Sequence, residues 1–349
     1  MEVTKMAKNN KAMQAAKTNK NDEWYTRLED IEDEISMHED YVRQFEGKTV
    51  LCNCDDPEWS NFFLFFRLHF KQLKLKKVIF THYEMNGSPS YKLEWDGSYI
   101  GYDTLNLIKT PLEGNGDFRS PECVALLDEC DVVVTNPPFS LLREFIGLII
   151  DHKKDMVIIA NEMQCTSKEI FLLFQSGKLN FGYNHVKEFK VPDGTFKKIG
   201  TVAWFTTFKL DKYNEELPLC CQYEGHEDEY PKYDNYDAIE VNQIRRIPRD
   251  YFGVMGVYGP SFLAQYNREQ FEVLGCTTSD NVPFRIIKEY KKLGYQFYKN
   301  DGVSESGSGA LRDKMSPKIS GKGTSDFSVG PNGEMLHGIN SRIFIRRKK

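Results

Sequence analysis

The chain has no apolar run long enough to span a bilayer, and the segment from Met1 to Asn21 is rich in Lys and Asn without the apolar core of a signal peptide. These absences predict a cytoplasmic protein that does not bind membranes. The eight cysteines lie at scattered spacings that match neither a zinc site nor a disulfide framework. We therefore expect free thiols and no bound metal.

A net basic charge is also missing, since 46 Lys and Arg stand against 51 Asp and Glu and give a formal net charge of −5. A nucleic-acid partner would have to meet a local basic surface, because the distribution of charge rather than its total decides phosphate binding. With 349 residues, 40% of them hydrophobic, the chain can bury one large core or two modest ones.

Hydrophobic patterning divides the chain into three parts. Residues 1–20 form a flexible basic arm, residues 21–212 alternate strand and helix patterns, and residues 213–349 are less periodic. Strands are expected at residues 48–53, 77–81, 130–135, 156–160, 201–208 and 341–349, and helices at 24–45, 140–150, 166–175 and from Pro57, with Asp55 or Asp56 as its N-cap. The alternation predicts an α/β fold with a Rossmann-like doubly wound sheet. The Gly/Ser-rich segment at 301–333 predicts a flexible loop.

The most informative local feature is Asn136-Pro137-Pro138-Phe139, which follows an apolar, β-branched run that predicts a buried strand. Ligands of open α/β sheets bind outside the carboxyl ends of the strands. There, an Asn carbonyl and a backbone carbonyl can accept both hydrogens of an exocyclic amino group, while proline removes a competing N–H. Phe139 would stack on a base that has left its helix. The alternative is a surface turn, because Asn-Pro and Pro-Pro both mark turns.

Taken with its neighbours, this loop resembles that of the EcoRI-type adenine-specific DNA methyltransferases. The matching stretches follow the family's order: Asn-Asp-Glu-Trp-Tyr-Thr at 21–26, Cys-Asn-Cys-Asp-Asp-Pro at 52–57, Ser-Asn-Phe-Phe at 60–63, Gly-Asp-Phe-Arg-Ser at 116–120, the loop and its strand at 131–140, Tyr-Pro-Lys-Tyr-Asp-Asn-Tyr-Asp-Ala-Ile at 230–239, and Gly-Val-Met-Gly-Val at 253–257. The resemblance implies S-adenosylmethionine as methyl donor and duplex DNA as substrate. Residues 21–212 would form the methyltransferase domain and residues 213–349 an irregular target-recognition region.

The resemblance also implies a set of residues that bind the donor: Asp22, Tyr25, Thr26, Asn53, Asp55, Asp56, Glu84, Asp117, Phe118 and Asn136. An acid in the turn after the first strand would hold the donor's ammonium group, and Glu84 would bind its ribose hydroxyls. Asp117 would accept the amino group of the donor's adenine, with Phe118 alongside. The turn lacks the Gly-rich sequence usual in methyltransferases, so the resemblance alone supports this part of the site. Structural alternatives are a helix anchor for Tyr25, an N-cap for Asp56 and a Gly-Asp turn for Asp117.

In catalysis, Asn136 and the Pro137 carbonyl would hold the amino hydrogens of a flipped adenine while Phe139 stacks on the base. The DNA-binding candidates are Arg245, Arg246 and Arg249, because Arg suits bidentate recognition of guanine or phosphate. Each is alternatively a solvated charge, and the basic C-terminal tip is a phosphate contact or a solubilising tail. The resemblance implies a monomer, and a cognate restriction endonuclease that would share the site without forming a stable complex. It makes GAATTC the first sequence to test.

Two rival functions remain open from the sequence. RNA and protein-glutamine amino methyltransferases share the Pro-Pro loop, but they should not share the stretches at 21–26 and 230–239. A DNA-binding protein without catalysis is the other rival, and the intact sequence from Asn136 to Phe139 argues against it.

Overall fold

The computed structural model describes residues 25–58, 60–84, 90–101, 104–190, 195–198, 200–233, 236–277 and 342–349, together with the backbone of four short strands between residues 296 and 337. The chain forms two compact units. Unit 1 contains Met1–Glu162 and Leu179–Leu210, and unit 2 contains Met163–Lys178 and Asp211–Lys349. The boundary expected after residue 212 lies close to Leu210, where unit 1 ends. The segment Met163–Lys178, which was expected in the first region, belongs to unit 2 instead.

Unit 1 is built on an eight-stranded sheet with two additional hairpins. Its strands are β1 (Thr49–Cys52), β2 (Lys77–Thr81), β3 (Tyr91–Trp95), β4 (Tyr99–Ile100), β5 (Thr104–Leu105), β6 (Ile108–Pro111), β7 (Val132–Thr135), β8 (Asp155–Asn161), β9 (Asn180–His185), β10 (Glu188–Lys190), β11 (Phe196–Lys198) and β12 (Val202–Thr206). Its helices are α1 (Leu28–Ile31), α2 (Glu39–Phe45), α3 (Asn61–His69), α4 (Pro121–Glu129) and α5 (Leu142–Asp151).

The large sheet has the strand order β6-β3-β2-β1-β7-β8-β12-β9. Its four central strands, from β2 to β8, run parallel. Antiparallel strands extend it on both sides. The predicted Rossmann-like α/β class is confirmed, and the antiparallel edges are an addition that the sequence pattern did not predict. Because the chain passes from β1 to β2 on one side and later adds β7 on the other, the carboxyl ends of β1 and β7 flank a topological switch point.

The core of unit 1 follows directly from the apolar strand sequences. Every residue of β1 and β7 is buried, as are all but the ends of β8. Strands buried on both faces read as continuous apolar runs rather than alternating ones, as these do. The rigid parallel centre therefore fixes where the loops after β1, β2 and β7 begin.

The continuous helix expected over residues 24–45 is wrong. The chain forms α1, then a π-helical segment (Glu32–Ser36), and starts α2 only after His38, whose backbone is extended. The π-segment carries the fully buried Glu34, which accepts the backbone N–H of Tyr183 at 2.9 Å and of Asn184 at 2.7 Å. A local π-turn re-aims a side chain that a regular helix would point elsewhere.

The start of α3 also differs from the prediction. The helix begins at Asn61 rather than Pro57, and its N-cap is Ser60, whose hydroxyl accepts the Phe62 N–H at 3.1 Å. Neither Asp55 nor Asp56 caps it. Both acids are instead used for contacts between loops, which are described below.

Unit 2 contains α6 (Lys168–Gln175), α7 (Gly259–Leu263) and two four-stranded sheets. Its strands are β13 (Ile239–Val241), β14 (Met255–Tyr258), β15 (Phe271–Cys276), β16 (Gln296–Lys299), β17 (Gly302–Ser304), β18 (Phe327–Val329), β19 (Met335–His337) and β20 (Arg342–Arg347). One sheet has the order β13-β14-β20-β15, so the predicted C-terminal strand pairs inside it. Of the predicted loop at 301–333, only β17 and β18 are described, and the basic arm at 1–20 lies outside the described residues.

All eight cysteines are free thiols. Within the described ranges, no group of His, Cys, Asp and Glu side chains is arranged to hold a metal ion. Among the helices described above, none is both long and apolar enough to cross a membrane.

Candidate active site

The carboxylate of Asp55 joins the turn after β1 to the loop after β7. It accepts the Thr135 hydroxyl at 2.5 Å and the Asn136 backbone N–H at 3.0 Å, and its other oxygen accepts the Ser60 hydroxyl at 3.1 Å. The Thr135 hydroxyl oxygen in turn accepts the Cys54 N–H at 3.2 Å. Residues far apart in the sequence are therefore brought together at the switch point of the sheet.

Burial raises the pKa of Asp55 to about 6. The hydrogen bonds from Thr135, Asn136 and Ser60 act in the opposite direction, since they favour the charged form. The carboxylate is therefore mostly ionised at neutral pH, yet it titrates far closer to neutrality than an exposed aspartate does.

The loop after β7 is a rigid turn that leads into a helix. Pro137 is buried, Asn136 and Phe139 are half-buried, and the Pro138 carbonyl accepts the Leu141 N–H at 3.0 Å. This bond begins the 3₁₀ turn Phe139–Leu141 that precedes α5. The Phe139 ring meets the Phe189 ring of β10 edge-on, with centroids 6.4 Å apart. The Pro138 carbonyl therefore already accepts a hydrogen bond within the turn. The carbonyl predicted from the sequence to accept an amino hydrogen is that of Pro137.

In the turn after β2, the His82 side chain lies between two acids. Its Nδ1 lies 2.7 Å from an Asp56 oxygen, and its Nε2 lies 3.6 Å from a Glu84 oxygen. The imidazole stacks on the Tyr91 ring with centroids 4.9 Å apart and planes 14° from parallel. His82 is not among the site residues predicted from the sequence. The only signal in the sequence was its position directly after a predicted strand, two residues before Glu84.

The Gly116–Ser120 segment packs against the end of β2. Gly116 has φ +79°, and a Cβ there would lie 2.1 Å from the His82 carbonyl oxygen, so this position requires glycine. Both carboxylate oxygens of Asp117 accept from the Arg119 guanidinium, at 2.8 and 2.7 Å. Phe118 is buried and meets Phe145 edge-on at 5.0 Å. The two residues expected beside the donor's adenine are therefore an ion-paired acid and a core ring.

The segment before α1 is tied to the start of α3. The Thr26 carbonyl accepts the Asn61 side-chain amide at 2.8 Å. The Thr26 hydroxyl oxygen is buried and has no hydrogen-bond partner in the part of the chain that the structure describes. Tyr25 is half-buried, Asn53 is buried after β1, and Asp22 lies outside the described residues. A buried, unsatisfied hydroxyl is a ready acceptor or donor for a ligand group.

A pocket of about 410 Å³ lies beside Asn61. It is lined by Arg27, Leu28, Glu29, Asn61, Leu64, Glu188 and Phe196. No residue of the loop after β7 lines it, so we do not place the reaction there.

The arginines predicted to bind DNA belong to unit 2 and differ in their contacts. Arg246 pairs with Glu229, and its guanidinium lies over the Tyr230 ring, 5.8 Å from the centroid. Arg245 is exposed and donates to the Gln243 side chain at 2.8 Å, and Arg249 is exposed as well. Arg246 is therefore held by an acid and an aromatic ring, whereas Arg245 contacts a neutral side chain.

The aromatic residues of the stretch at 230–239 are mostly internal. Tyr230 and Tyr233 are buried, and the Tyr230 hydroxyl donates to the Arg246 carbonyl at 3.0 Å. Tyr233 donates its hydroxyl to the buried Glu240, which also pairs with Arg342 at 2.9 Å. This stretch therefore forms a scaffold, and its exposed neighbours are the candidates for contact.

Comparison with known proteins gives a consistent assignment. The family profile of the adenine-specific methyltransferase EcoRI matches residues 12–316. The Type II methyltransferase M.EcoRI of Escherichia coli is 41% identical over 299 residues, which cover 77% of this chain and 90% of that protein. M.MgeORF184P of Mycoplasma genitalium is 40% identical, with 78% and 88% covered, and M.MpnI of Mycoplasma pneumoniae is 37% identical, with 80% and 89% covered. No solved structure gives a significant match.

Proposed function

The chain belongs to the EcoRI family of adenine-specific methyltransferases, and from that membership we propose how its residues carry out the reaction. Its activity is methylation of adenine in DNA, of the Type II kind that accompanies restriction. The observation that carries our assignment of roles is the bond network in which Asp55 holds the backbone of Asn136 at the switch point of the sheet.

The methyl donor that we propose is S-adenosylmethionine, and the residues present fit it. The donor carries positive charge on its sulfonium and ammonium groups, and the carboxylates of Asp55, Asp56 and Glu84 lie after β1 and β2. The buried Thr26 hydroxyl, which has no partner among the described residues, suits the donor's polar methionine end. We keep Asp22, Tyr25 and Asn53 in this group.

Asp117 and Phe118 are proposed for the adenine end of the donor, which requires that Asp117 accept a further hydrogen bond. A carboxylate has about four lone-pair sites, so Asp117 can accept an amino group while it stays paired with Arg119. Phe118 would then support the site by packing on Phe145 and would not stack on the donor's adenine.

When bound, the donor supplies an electrophilic methyl group on a sulfonium. The chain's own residues prepare the acceptor: the Asn136 side-chain oxygen and the Pro137 carbonyl accept the two hydrogens of the adenine amino group. This draws the nitrogen lone pair out of conjugation and toward the methyl group. Phe139 stacks on the flipped base, held at an angle by Phe189. Transfer is direct, and no cysteine takes part.

We propose that residues 21–212 carry out transfer and that residues 213–349 recognise the target, with Arg245, Arg246 and Arg249 as contacts to duplex DNA. The protein would act as a monomer in the cytoplasm, where its DNA substrate lies. A cognate endonuclease would share its site without forming a stable complex. GAATTC is the first site to test.

The test is transfer of a labelled methyl group from S-adenosylmethionine to duplex DNA by the purified protein. We expect label on DNA that survives RNase and protease, and N6-methyladenine after nuclease digestion. Label that is removed by RNase or protease would instead identify RNA or a protein glutamine as the acceptor. No transfer to any duplex by the folded protein would refute the proposal.

A further inference from the structure

We propose that His82 is a positioning residue for the methyl-donor site. Its side chain and backbone hold the turn after β1, the side chain of Glu84 and the Gly116 turn in one arrangement. The inference rests on the proposed function, because it supposes that Asp56, Glu84 and Asp117 face the donor. His82 itself would not touch the reacting atoms.

The imidazole reaches acids that follow two different strands. Its Nδ1 is within hydrogen-bond distance of Asp56, at 2.7 Å, in the turn after β1. Its Nε2 is 3.6 Å from a Glu84 oxygen, just beyond hydrogen-bond distance. A ring with one nitrogen toward each acid therefore fixes the separation of two carboxylates that would otherwise repel each other.

The backbone of His82 supports the third element. Its carbonyl accepts the hydroxyl of the buried Ser90 and lies against the α-carbon of Gly116, where no side chain would fit. The Glu84 N–H donates to the Asn115 carbonyl at 2.9 Å, and the Ser90 N–H donates to the Gly114 carbonyl at 3.1 Å. Hydrogen bonds and close packing with the backbone of His82, Glu84 and Ser90 therefore position the segment that leads into Asp117.

The side chain is oriented but is not part of the core. The ring stacks on Tyr91, whose hydroxyl donates to Glu58 at 2.8 Å, so its plane is held from one side. The side chains of His82, Asp56 and Glu84 remain 22%, 24% and 25% exposed. Water can therefore solvate both acids when the imidazole is removed, and we expect His82 variants to fold.

A second histidine of unit 1 provides a matched control. His69, at the end of α3, has Nε2 2.9 Å from Glu32, and its ring stacks on Phe65 at 4.7 Å. Its side chain is 19% exposed, close to that of His82. Like His82, it has a carboxylate partner, a stacked aromatic neighbour and a similar exposed fraction. Unlike His82, it does not follow the carboxyl end of a strand. Loss of stability alone should therefore look the same in His82→Ala and His69→Ala.

The experiment measures donor binding by calorimetry and steady-state transfer for both alanine variants in the full chain. For His82→Ala we expect the dissociation constant and KM for S-adenosylmethionine to rise roughly 10- to 100-fold, the range for losing a hydrogen bond to a charged group. The KM for DNA, and kcat at saturating donor, should stay within about threefold of the wild type. His69→Ala should leave all of these values unchanged.

Two conservative variants separate the contacts. Asn places its amide near the position of Nδ1 and Gln places it near Nε2, so His82→Asn should keep the Asp56 contact and His82→Gln the Glu84 contact. Each should recover part of the donor affinity, and they decide the question if His82→Ala does not fold. If the wild type transfers methyl and no His82 variant binds the donor more weakly than His69→Ala does, the inference is wrong while the proposed function stands. If the wild type itself neither binds donor nor methylates DNA, the proposed function has failed instead.

Discussion

The edge of the sheet in unit 1 and the tyrosine-rich stretch of unit 2 use their polar side chains in opposite ways. At the edge, Asp55, Asp56 and Glu84 follow strands and remain partly exposed, with contacts that join one loop to another. In unit 2, Tyr233 and Glu240 are buried, and the Glu240 carboxylate accepts hydrogen bonds from the Tyr233 hydroxyl and the Arg342 guanidinium. The first arrangement leaves polar groups at a surface where a ligand can reach them, and the second satisfies them internally.

This difference shows that two stretches that match the same family can have different structures. One places polar side chains at the end of a sheet, and the other forms an internal scaffold. The carboxyl ends of parallel strands gather side chains without filling the space between them, because the strands stop and the loops diverge. A polar cluster under a sheet must instead be fully paired, since an unpaired buried charge is costly. Site residues are therefore expected at the edge in unit 1, and only among exposed neighbours of the scaffold in unit 2.

The largest expected effect tests the edge. Asn136→Ala removes the side-chain oxygen proposed to hold an amino hydrogen, so transfer should fall by at least about 10³-fold, as for loss of a preorganised stabilising group. Donor binding should stay within about twofold, because the backbone N–H that Asp55 holds is unchanged. Single-turnover transfer and calorimetry measure the two quantities. Transfer within tenfold of the wild type would remove Asn136 from the mechanism.

The sequence predicted the parts of this edge that depend on strand ends and failed where partners come from distant segments. The strands ending at Thr81 and Thr135 were predicted from β-branched apolar runs, and β1 within one residue at each end. The N-cap was wrong because Asp55 bonds to Asn136, a contact across 81 residues that no local pattern encodes. His82 was missed for the same reason, since its partners follow other strands. The break in the 24–45 helix likewise depends on Glu34 meeting β9.

The next effect tests the scaffold. Glu240→Ala leaves Arg342 nearly buried without its acid, and we expect the free energy of unfolding to fall by about 3 kcal/mol. Donor affinity should not change while the protein is folded, because the Glu240 partners Tyr233 and Arg342 are not among the residues proposed for the donor. Denaturant unfolding and calorimetry measure these quantities. A folded Glu240→Ala protein of wild-type stability would mean that the buried pair is not a scaffold.

Loss of the carboxylate between β1 and β7 should have an intermediate effect. Asp55→Ala leaves the Asn136 N–H and the Thr135 hydroxyl without their acceptor, and we expect kcat to fall roughly 10- to 100-fold. Asp131 is the matched control, because it accepts the Thr49 N–H at 2.7 Å and joins the same two strands at their other end. Asp131→Ala should lower stability and leave kcat unchanged. Equal kcat values for the two variants would reduce Asp55 to a structural link.

The pH dependence of the same carboxylate should be smaller still. Its pKa of about 6 exceeds the ordinary value of 3.8, so its contribution to folding stability is present below pH 3.8 and is lost as the pH rises through about 6. Transfer has the opposite sign, since the anion holds the loop, and the rate should fall about tenfold between pH 7 and pH 5. Asp55→Asn should remove both dependences. A wild-type pH profile that persists in Asp55→Asn would assign it to another group.

The smallest expected effects distinguish the exposed arginines of unit 2 from the paired one. Arg245→Gln and Arg249→Gln should each weaken binding to duplex DNA about fivefold and reduce the slope of log affinity against log salt by about 0.9, if each contacts one phosphate. Arg246→Gln instead removes the ion pair with Glu229 and the contact with the Tyr230 ring. It should lower stability by up to about 1 kcal/mol with little change of slope.

The salt slope is the decisive measurement here, because it counts released counterions and does not respond to a loss of folding stability. A variant that only loosens the scaffold lowers affinity at every salt concentration by the same factor, so its line shifts without tilting. If Arg246→Gln tilts the line and Arg245→Gln does not, the paired guanidinium is the one that reaches the phosphates. In that case Glu229 holds Arg246 ready for DNA, and the division between scaffold and contact in unit 2 must be redrawn around that pair.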